Sequence, residues 1–242
     1  MDSLRDVSKG EPVFVKSSSR SPKDATIAAA NFRDTFLTKL EEKGRPSDDN
    51  EKVKALLETS VEMFKSTKAT QVIETFASSQ RIRDDMTLAL EQIQRFHEHF
   101  VVRRWVNIAI DMEFVNKGEL TALSQYNHPV FFERLTTLKE ALERRILQFW
   151  ESAVAPRIIH EFPSCVVDFA IEGDDPLTGQ LYVIEINPFQ ESTDAALFSW
   201  GMEKDKLENG PFEFHVRDHP QSGIKASLEI KWRDMLTSKR RC

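Results

Sequence analysis

Residues 164–187 constrain this chain more than any other stretch. Two apolar runs, SCVVDFAI (164–171) and LYVIEIN (181–187), flank the segment EGDDPLTGQ, which is rich in turn formers. Short runs of β-branched and aromatic residues bounded by Gly, Pro and Asp read as strands, and two such runs around a turn read as an antiparallel hairpin. Residues two apart on a strand share a face. Tyr182, Ile184 and Ile186 are therefore expected on one face, built for a core, and Val183, Glu185 and Asn187 on the other. If the hairpin is symmetric about its loop, Asp168 lies opposite residue 184 or 185. The register natural to Asp168, which shares a face with Val166 and Ala170, sets it against Glu185. Asn187 then lies one step along on the same face.

Two carboxylates directly opposed across an antiparallel pair, with Cβ atoms roughly 4.5–5.5 Å apart, are unfavourable unless something lies between them. A divalent cation converts that repulsion into coordination. Two carboxylates and an amide oxygen suit Mg²⁺, which keeps several waters and adds phosphate oxygens. From the residues alone, a solvated outer face of the sheet is the competing reading. Asp194, in ESTDAALFSW, reads as a cap for a helix starting at Ala195. Asp174 and Asp175 read as turn formers.

The rest of the chain places this hairpin in an α+β protein. EPVFVK (11–16) reads as a strand, followed by a serine-rich loop without glycine. Pro22-Lys23-Asp24 opens a helix expected to run to about Glu42, with Asp24 as its N-cap or first-turn acid. GRPSDDN (44–50) breaks the chain. Apolar residues three and four apart then predict a helix to about Lys65 and further helix to about His97, including Phe96. From Phe100 the pattern turns to strands: Phe100–Ile110, Met112–Phe114 and Leu120–Ser124. Glu133–Ser152 is an amphipathic helix, Phe212–Arg217 a further strand, and Ile224–Leu236 ambiguous. A boundary near residue 98 gives an N-terminal helical lobe, 1–98, and a C-terminal lobe with the antiparallel sheet and acidic hairpin, 99–242.

Composition excludes several classes. The net charge of −6 argues against a general nucleic-acid binder, and the tail Lys239-Arg240-Arg241 reads as solvated end charge. No stretch approaches the roughly 18 apolar residues of a membrane span, and the N-terminus lacks a leader's apolar core. Two cysteines, Cys165 and Cys242, make no disulfide framework, so a reducing, cytoplasmic location is expected. The six histidines show no zinc spacing with cysteine.

Two further features bear on an anion. Lys16 ends the strand VFVK before SSSRSPK, whose hydroxyls, backbone N–H groups, Arg20 and Lys23 could attend a phosphate, though without the glycines of a P-loop. Alone, Lys16 reads more simply as a solvated strand-end lysine. In FVVRRWVNI, alternation puts Val101, Arg103 and Trp105 on one face. An extended segment joining two lobes could present backbone groups to an adenine edge; a core indole is the plainer reading of Trp105.

Three stretches in this order, VFVKSSSRSPKDA, FVVRRWVNIAIDMEF with LTALSQYNH, and VVDFAI…LYVIEINPFQESTDAALFSW, resemble the cell division cycle protein 123 family over roughly Pro12 to Trp200. The resemblance implies an ATP-grasp-like fold whose two lobes hold Mg-ATP between them. It implies that Lys16 contacts phosphate and that Arg103, Trp105 and Val106 lie along the adenine. It also implies that Asp168, Glu185 and Asn187 bind magnesium and, through it, ATP. Position 185 is usually Asp in that family, so Glu185 is a longer arm with the same chemistry. A departure follows Glu113-Phe114. Where the family has arginine and several more strand residues, this chain reads Val115-Asn116-Lys117-Gly118, which implies a shortened sheet. The segment before the lysine strand is also shorter than in the family.

The resemblance implies an assembly factor that binds the gamma subunit of eukaryotic translation initiation factor 2 with ATP bound. Such a factor needs no chemical step, so whether it is an enzyme stays open. The alternatives are an ATP-grasp ligase acting on a carboxylate substrate, and a degenerate site that serves only as a scaffold.

Overall fold

The computed structural model describes residues 10–44, 47–93, 97–117 and 120–236. Phe96, Gly118, the basic tail and Cys242 lie outside them. The chain forms two compact units, residues 1–106 with 225–242, and residues 107–224.

In the first unit β1 (Val13–Ser17) pairs antiparallel with β2 (Phe100–Arg104). Four helices follow β1: α1 (Phe32–Glu42), α2 (Asp49–Glu62), α3 (Ala69–Ser78) and α4 (Gln80–Glu91). The starts of α2 and α4 are chemically marked. The Asp48 side chain accepts from the Glu51 N–H at 3.1 Å, and the Ser79 hydroxyl accepts from the Ile82 N–H at 3.2 Å, satisfying donors a helix leaves open. The helix expected from Asp24 to Glu42 is instead a 3₁₀ turn, Lys23–Ala28, an extended Ala29, and then α1. The cause is tertiary. The Asp24 carboxylate accepts from the Ser79 hydroxyl at 2.6 Å and from the N–H groups of Gln80 and Arg81 at 2.8 and 3.2 Å. Asp24 thus caps α4, not its own segment. Phe32, Phe36, Val53 and Leu56 form a buried core.

The second unit is a five-stranded sheet in the order β6-β5-β3-β4-β7, from β3 (Ile108–Lys117), β4 (Ala122–Gln125), β5 (Cys165–Glu172), β6 (Leu181–Pro188) and β7 (Glu213–His215). All pairs are antiparallel except β4 with β7. Where the sequence suggested strands 100–110 and 112–114, the chain leaves β2 after Arg104 and runs through Trp105–Asn107. It then forms one ten-residue β3. A register shift between Ile108 and Glu113 breaks the alternation there, so one strand reads as two pieces. β3 stays paired on both sides through Lys117, with β4 and with β5.

Helix α5 (Glu133–Phe149), continued by a π-helical turn at Trp150–Val154 and the short α6 (Ala155–Ile158), covers one face of this sheet. Its buried Leu135, Leu142 and Ile146 face that core. Phe149 and Trp150 meet Phe169 edge-on at 6.0 and 6.3 Å, and Lys139 sits 5.9 Å from the Phe214 ring centre. Arg134 makes a bidentate pair with Asp111 of β3, at 2.8 and 2.6 Å. Helix α7 (Trp200–Asn209) precedes β7. The ambiguous segment 224–236 becomes two short helices, α8 (Ile224–Ser227) and α9 (Ile230–Leu236). α9 returns to the first unit, where Trp232 meets Phe32 edge-on at 5.9 Å and Lys225 pairs with Asp49 at 2.7 Å. No helix of the described residues is long and apolar enough to cross a membrane.

Candidate functional site

On β5, an interior strand of the sheet, every residue but Asp168 and Glu172 is buried. Asp168 pairs with Glu185 and Val166 with Asn187. Cross-strand partners share a face, so Asp168, Glu185 and Asn187 stand together on the face away from α5, in the second of the two registers that the hairpin's symmetry allowed. Past Asp168 the pairing slips. Phe169 lies opposite Val183, which leaves Ile184 as an extra residue on β6.

That slip corrects the expected alternation. Tyr182 pairs with Ala170 and so joins the face of Asp168. Its hydroxyl donates to Glu172 Oε2 at 2.6 Å. Val183 and Ile186 take the opposite face and are 37% and 36% exposed, because β6 is an edge strand. The core expected from Tyr182, Ile184 and Ile186 comes from β5 instead, through Cys165, Val167, Phe169 and Ile171.

Two paired carboxylates with a neighbouring amide oxygen fit a hard cation that keeps part of its water. Among the described residues no group of three or more His, Cys, Asp and Glu is arranged to hold a metal. The donor set is two acids and an amide. Val115 lies directly opposite Asp168 from the β3 side and is 5% exposed. An aliphatic side chain therefore occupies the place that follows Glu113-Phe114.

The hairpin is fixed from α5. The Arg145 guanidinium donates to the carbonyls of Pro176 and, at 2.6 Å, Gly179. Arg134 reaches the Asp174 carbonyl at 3.3 Å. Asp175 accepts from the Leu177 N–H at 2.9 Å and the Thr178 hydroxyl at 2.8 Å, which together hold its carboxyl below the usual range. It is a turn former, as read from sequence. The Asp111 carboxylate raises the pKa of Arg134 against a smaller effect of burial. A Cβ on Gly179 would lie 2.0 Å from the Glu172 carbonyl oxygen, so only glycine closes this turn. Neither arginine was singled out from the sequence, since both look like the polar side of an amphipathic helix.

The two loop motifs of the resemblance pack on the same sheet. Gln125 Nε2 donates to the carbonyls of Asn127 and Val130, while its oxygen accepts from the Arg217 N–H at 2.7 Å. Asn127 Nδ2 reaches the Ile110 carbonyl at 2.5 Å. The Leu197 N–H donates to the Ser124 hydroxyl at 3.2 Å, and Phe198 stacks on His215 at 4.0 Å. Asp194 caps no helix. Its carboxylate accepts from the Ala196 N–H at 2.8 Å, Ala196 has a positive φ of 54°, and α7 begins only at Trp200 with Ser199 as cap. A left-handed residue cannot open a helix.

In the first unit Lys16 pairs with Val101 and Phe14 with Arg103, placing Lys16 and Arg103 on one face of the ribbon. Lys16 is 8% exposed, which overturns the solvated strand-end reading. Trp105 is half-buried, not core, and its backbone N–H donates to the Pro12 carbonyl at 3.0 Å. Val106 is the last residue of the first unit before the chain enters the second. The serine loop is already strapped down. Ser19 Oγ donates to Asp85 at 2.5 Å and Arg20 Nε lies 2.6 Å from the same buried carboxylate oxygen.

A family model described as D123 matches residues 56–230. The chain is 29% identical over 147 residues to the translation initiation factor eIF2 assembly protein of Candida albicans, covering 54% of this chain and 41% of that one. It is 26% identical over 167 residues to the protein of that name from Dictyostelium discoideum, covering 57% and 42%. With Xenopus tropicalis the figures are 28% over 103 residues, 41% and 29%. The chain thus spans less than half the length of these relatives. In fold it is similar to Cdc123 from Schizosaccharomyces pombe, with a TM-score of 0.58 at 20% identity over 88% of this chain and 74% of that one.

Proposed function

The chain belongs to the D123 family, and from that premise we propose that it is an ATP- and magnesium-binding assembly factor for eukaryotic translation initiation factor 2, acting through that factor's gamma subunit. The observation that carries the nucleotide part is the pairing of Asp168 with Glu185, with Asn187 on their face. Those three side chains would hold the magnesium. Bound there, the ion would bridge phosphate oxygens and neutralise their charge. Lys16, on the first ribbon with Arg103, is assigned to phosphate. Arg103, Trp105 and Val106 are assigned to the adenine, on an ATP-grasp-like plan. The partner assignment rests on the names of the relatives. Nucleotide would act by differential affinity for the shape that binds the partner.

Calorimetry of ATP binding with and without Mg²⁺ tests the site. Wild type is expected to bind only with Mg²⁺, and Asp168→Ala and Glu185→Ala to lose at least about tenfold in affinity, the scale of loss for groups that orient metal ligands. Mg-independent binding, or full affinity in both variants, would sink the assignment. Capture of purified gamma subunit, with and without Mg-ATP, tests the partner.

Val115 favours one competing reading, a degenerate site kept as a scaffold. If the missing arginine weakens the site, Val115→Arg should raise Mg-ATP affinity. If wild type binds no ATP and Val115→Arg restores none, the scaffold reading replaces the first.

A further inference from the structure

The register slip in the acidic hairpin has a specific location. Asp168 faces Glu185 and Phe169 faces Val183, so the extra residue, Ile184, enters beside a cross-strand pair that joins two carboxylates. A bulge bends its strand and increases the local twist, and such features recur where a side chain must be re-aimed. The ladder on either side keeps its spacing: Tyr182 stays opposite Ala170, two residues from Asp168 on β5, and its hydroxyl is turned to Glu172. The bulge therefore acts on the local bend and twist at Glu185, and so on the aim of its carboxylate.

The position is held from behind. Phe169, next to Asp168 and fully buried, meets the edges of Phe149 and Trp150. Trp150 begins the π-helical turn, a second irregularity of the kind found at functional sites. Phe169 anchors the pairing on one side of the bulge, so the extra residue cannot move along the strand without disturbing the core.

We infer that Ile184 is a positioning residue: the extra residue it adds to β6 bends and twists the strand at Glu185 and so aims that carboxylate, beside Asp168, at a hydrated divalent cation and its phosphate ligand. The role belongs to the backbone and not to the isoleucine side chain. This inference rests on the proposed metal site.

Deleting Ile184 leaves every other β5–β6 pair and face assignment as it is, and removes only the bulge. The test is titration of Mn²⁺ into protein with ATP, with free Mn²⁺ followed by electron paramagnetic resonance and folding by thermal unfolding. The deletion is expected to fold and to lose at least about tenfold in Mn²⁺ affinity, while Ile184→Val, which keeps the extra residue, binds as wild type. A folded deletion that binds as tightly as wild type overturns the inference and leaves the proposed function standing. Wild type that takes up no Mn²⁺ overturns the proposed function, and the inference with it. If the deletion does not fold, Phe169→Leu replaces it, with Leu142→Ala as a control of comparable or greater stability cost. Weaker Mn²⁺ binding in Phe169→Leu alone supports the inference, and equal binding in both overturns it.

Discussion

At the scale of single residues, two side chains stand out for what surrounds them. Asn116 on β3 is fully buried, and among the described residues neither atom of its amide has a hydrogen-bond partner. An unsatisfied buried polar group costs about 1–3 kcal/mol. Asn116→Leu, close in shape, is therefore expected to stabilise the protein by about 1–2 kcal/mol in urea unfolding; a lower midpoint would contradict this. Asp24 gives a pH prediction. Burial pushes its carboxyl up, but the Ser79 hydroxyl and the N–H groups of Arg81, Asp24 and Gln80 outweigh that and hold it below its ordinary 3.8. A carboxylate depressed in the folded state adds stability that is present above its unfolded pKa and lost as pH falls through the folded one. Asp24→Asn should thus lower the melting temperature at neutral pH, with the gap closing as the pH falls below the ordinary 3.8. A gap that persists unchanged in acid would show that charge is not the cause. Neither role was legible in the sequence. Asp24 sits where a local N-cap would, but its partners lie more than fifty positions away; no spacing rule reaches that far.

At the scale of elements, the acidic hairpin is held by its turn and by α5. Arg145→Leu removes two charge-assisted hydrogen bonds to the turn and should cost about 1.5–3 kcal/mol. Faster hydrogen exchange should be confined to residues 173–180. Exchange that rises uniformly across the second unit would mean that the clamp is not local. The existence of α2, α5 and the hairpin was legible, and so was helix over the stretch of α3 and α4 though not its division into two, because each carries enough apolar residues at one period to outvote local noise. β3 was not, since its irregular register mixes two alternations. On β6, one extra residue sends Tyr182 to the face that alternation had denied it.

At the scale of the whole molecule, the first unit is closed by the segment that follows Ile224. Trp232 packs on Phe32 and Lys225 pairs with Asp49. Ending the chain at Gly223 should lower the stability of the first unit and the exchange protection of α1 and α2; unchanged protection would show that α9 is dispensable. If the proposed function is right, Mg-ATP at about one hundred times its Kd should stabilise the folded protein by about 2.7 kcal/mol, with the shift abolished by chelating the metal. An equal shift with ATP alone would contradict magnesium-dependent binding.

The sequence by itself determined the α+β class, the main helices and the family. It also pointed to Asp168, Glu185 and Asn187 on one face, but the register running out from the turn would set Asp168 against Ile184, and the pairing with Glu185 is reached only through the bulge. Only the tertiary structure decided the rest. It buried Lys16, took Trp105 out of the core, turned Asp24 into a cap for another helix, and gave Asp194 to a turn. It also set Val115 against Asp168. Each of these depends on which distant backbone or side chain arrives as a neighbour. That is settled by the packing of elements against one another, and local periodicity carries no record of it.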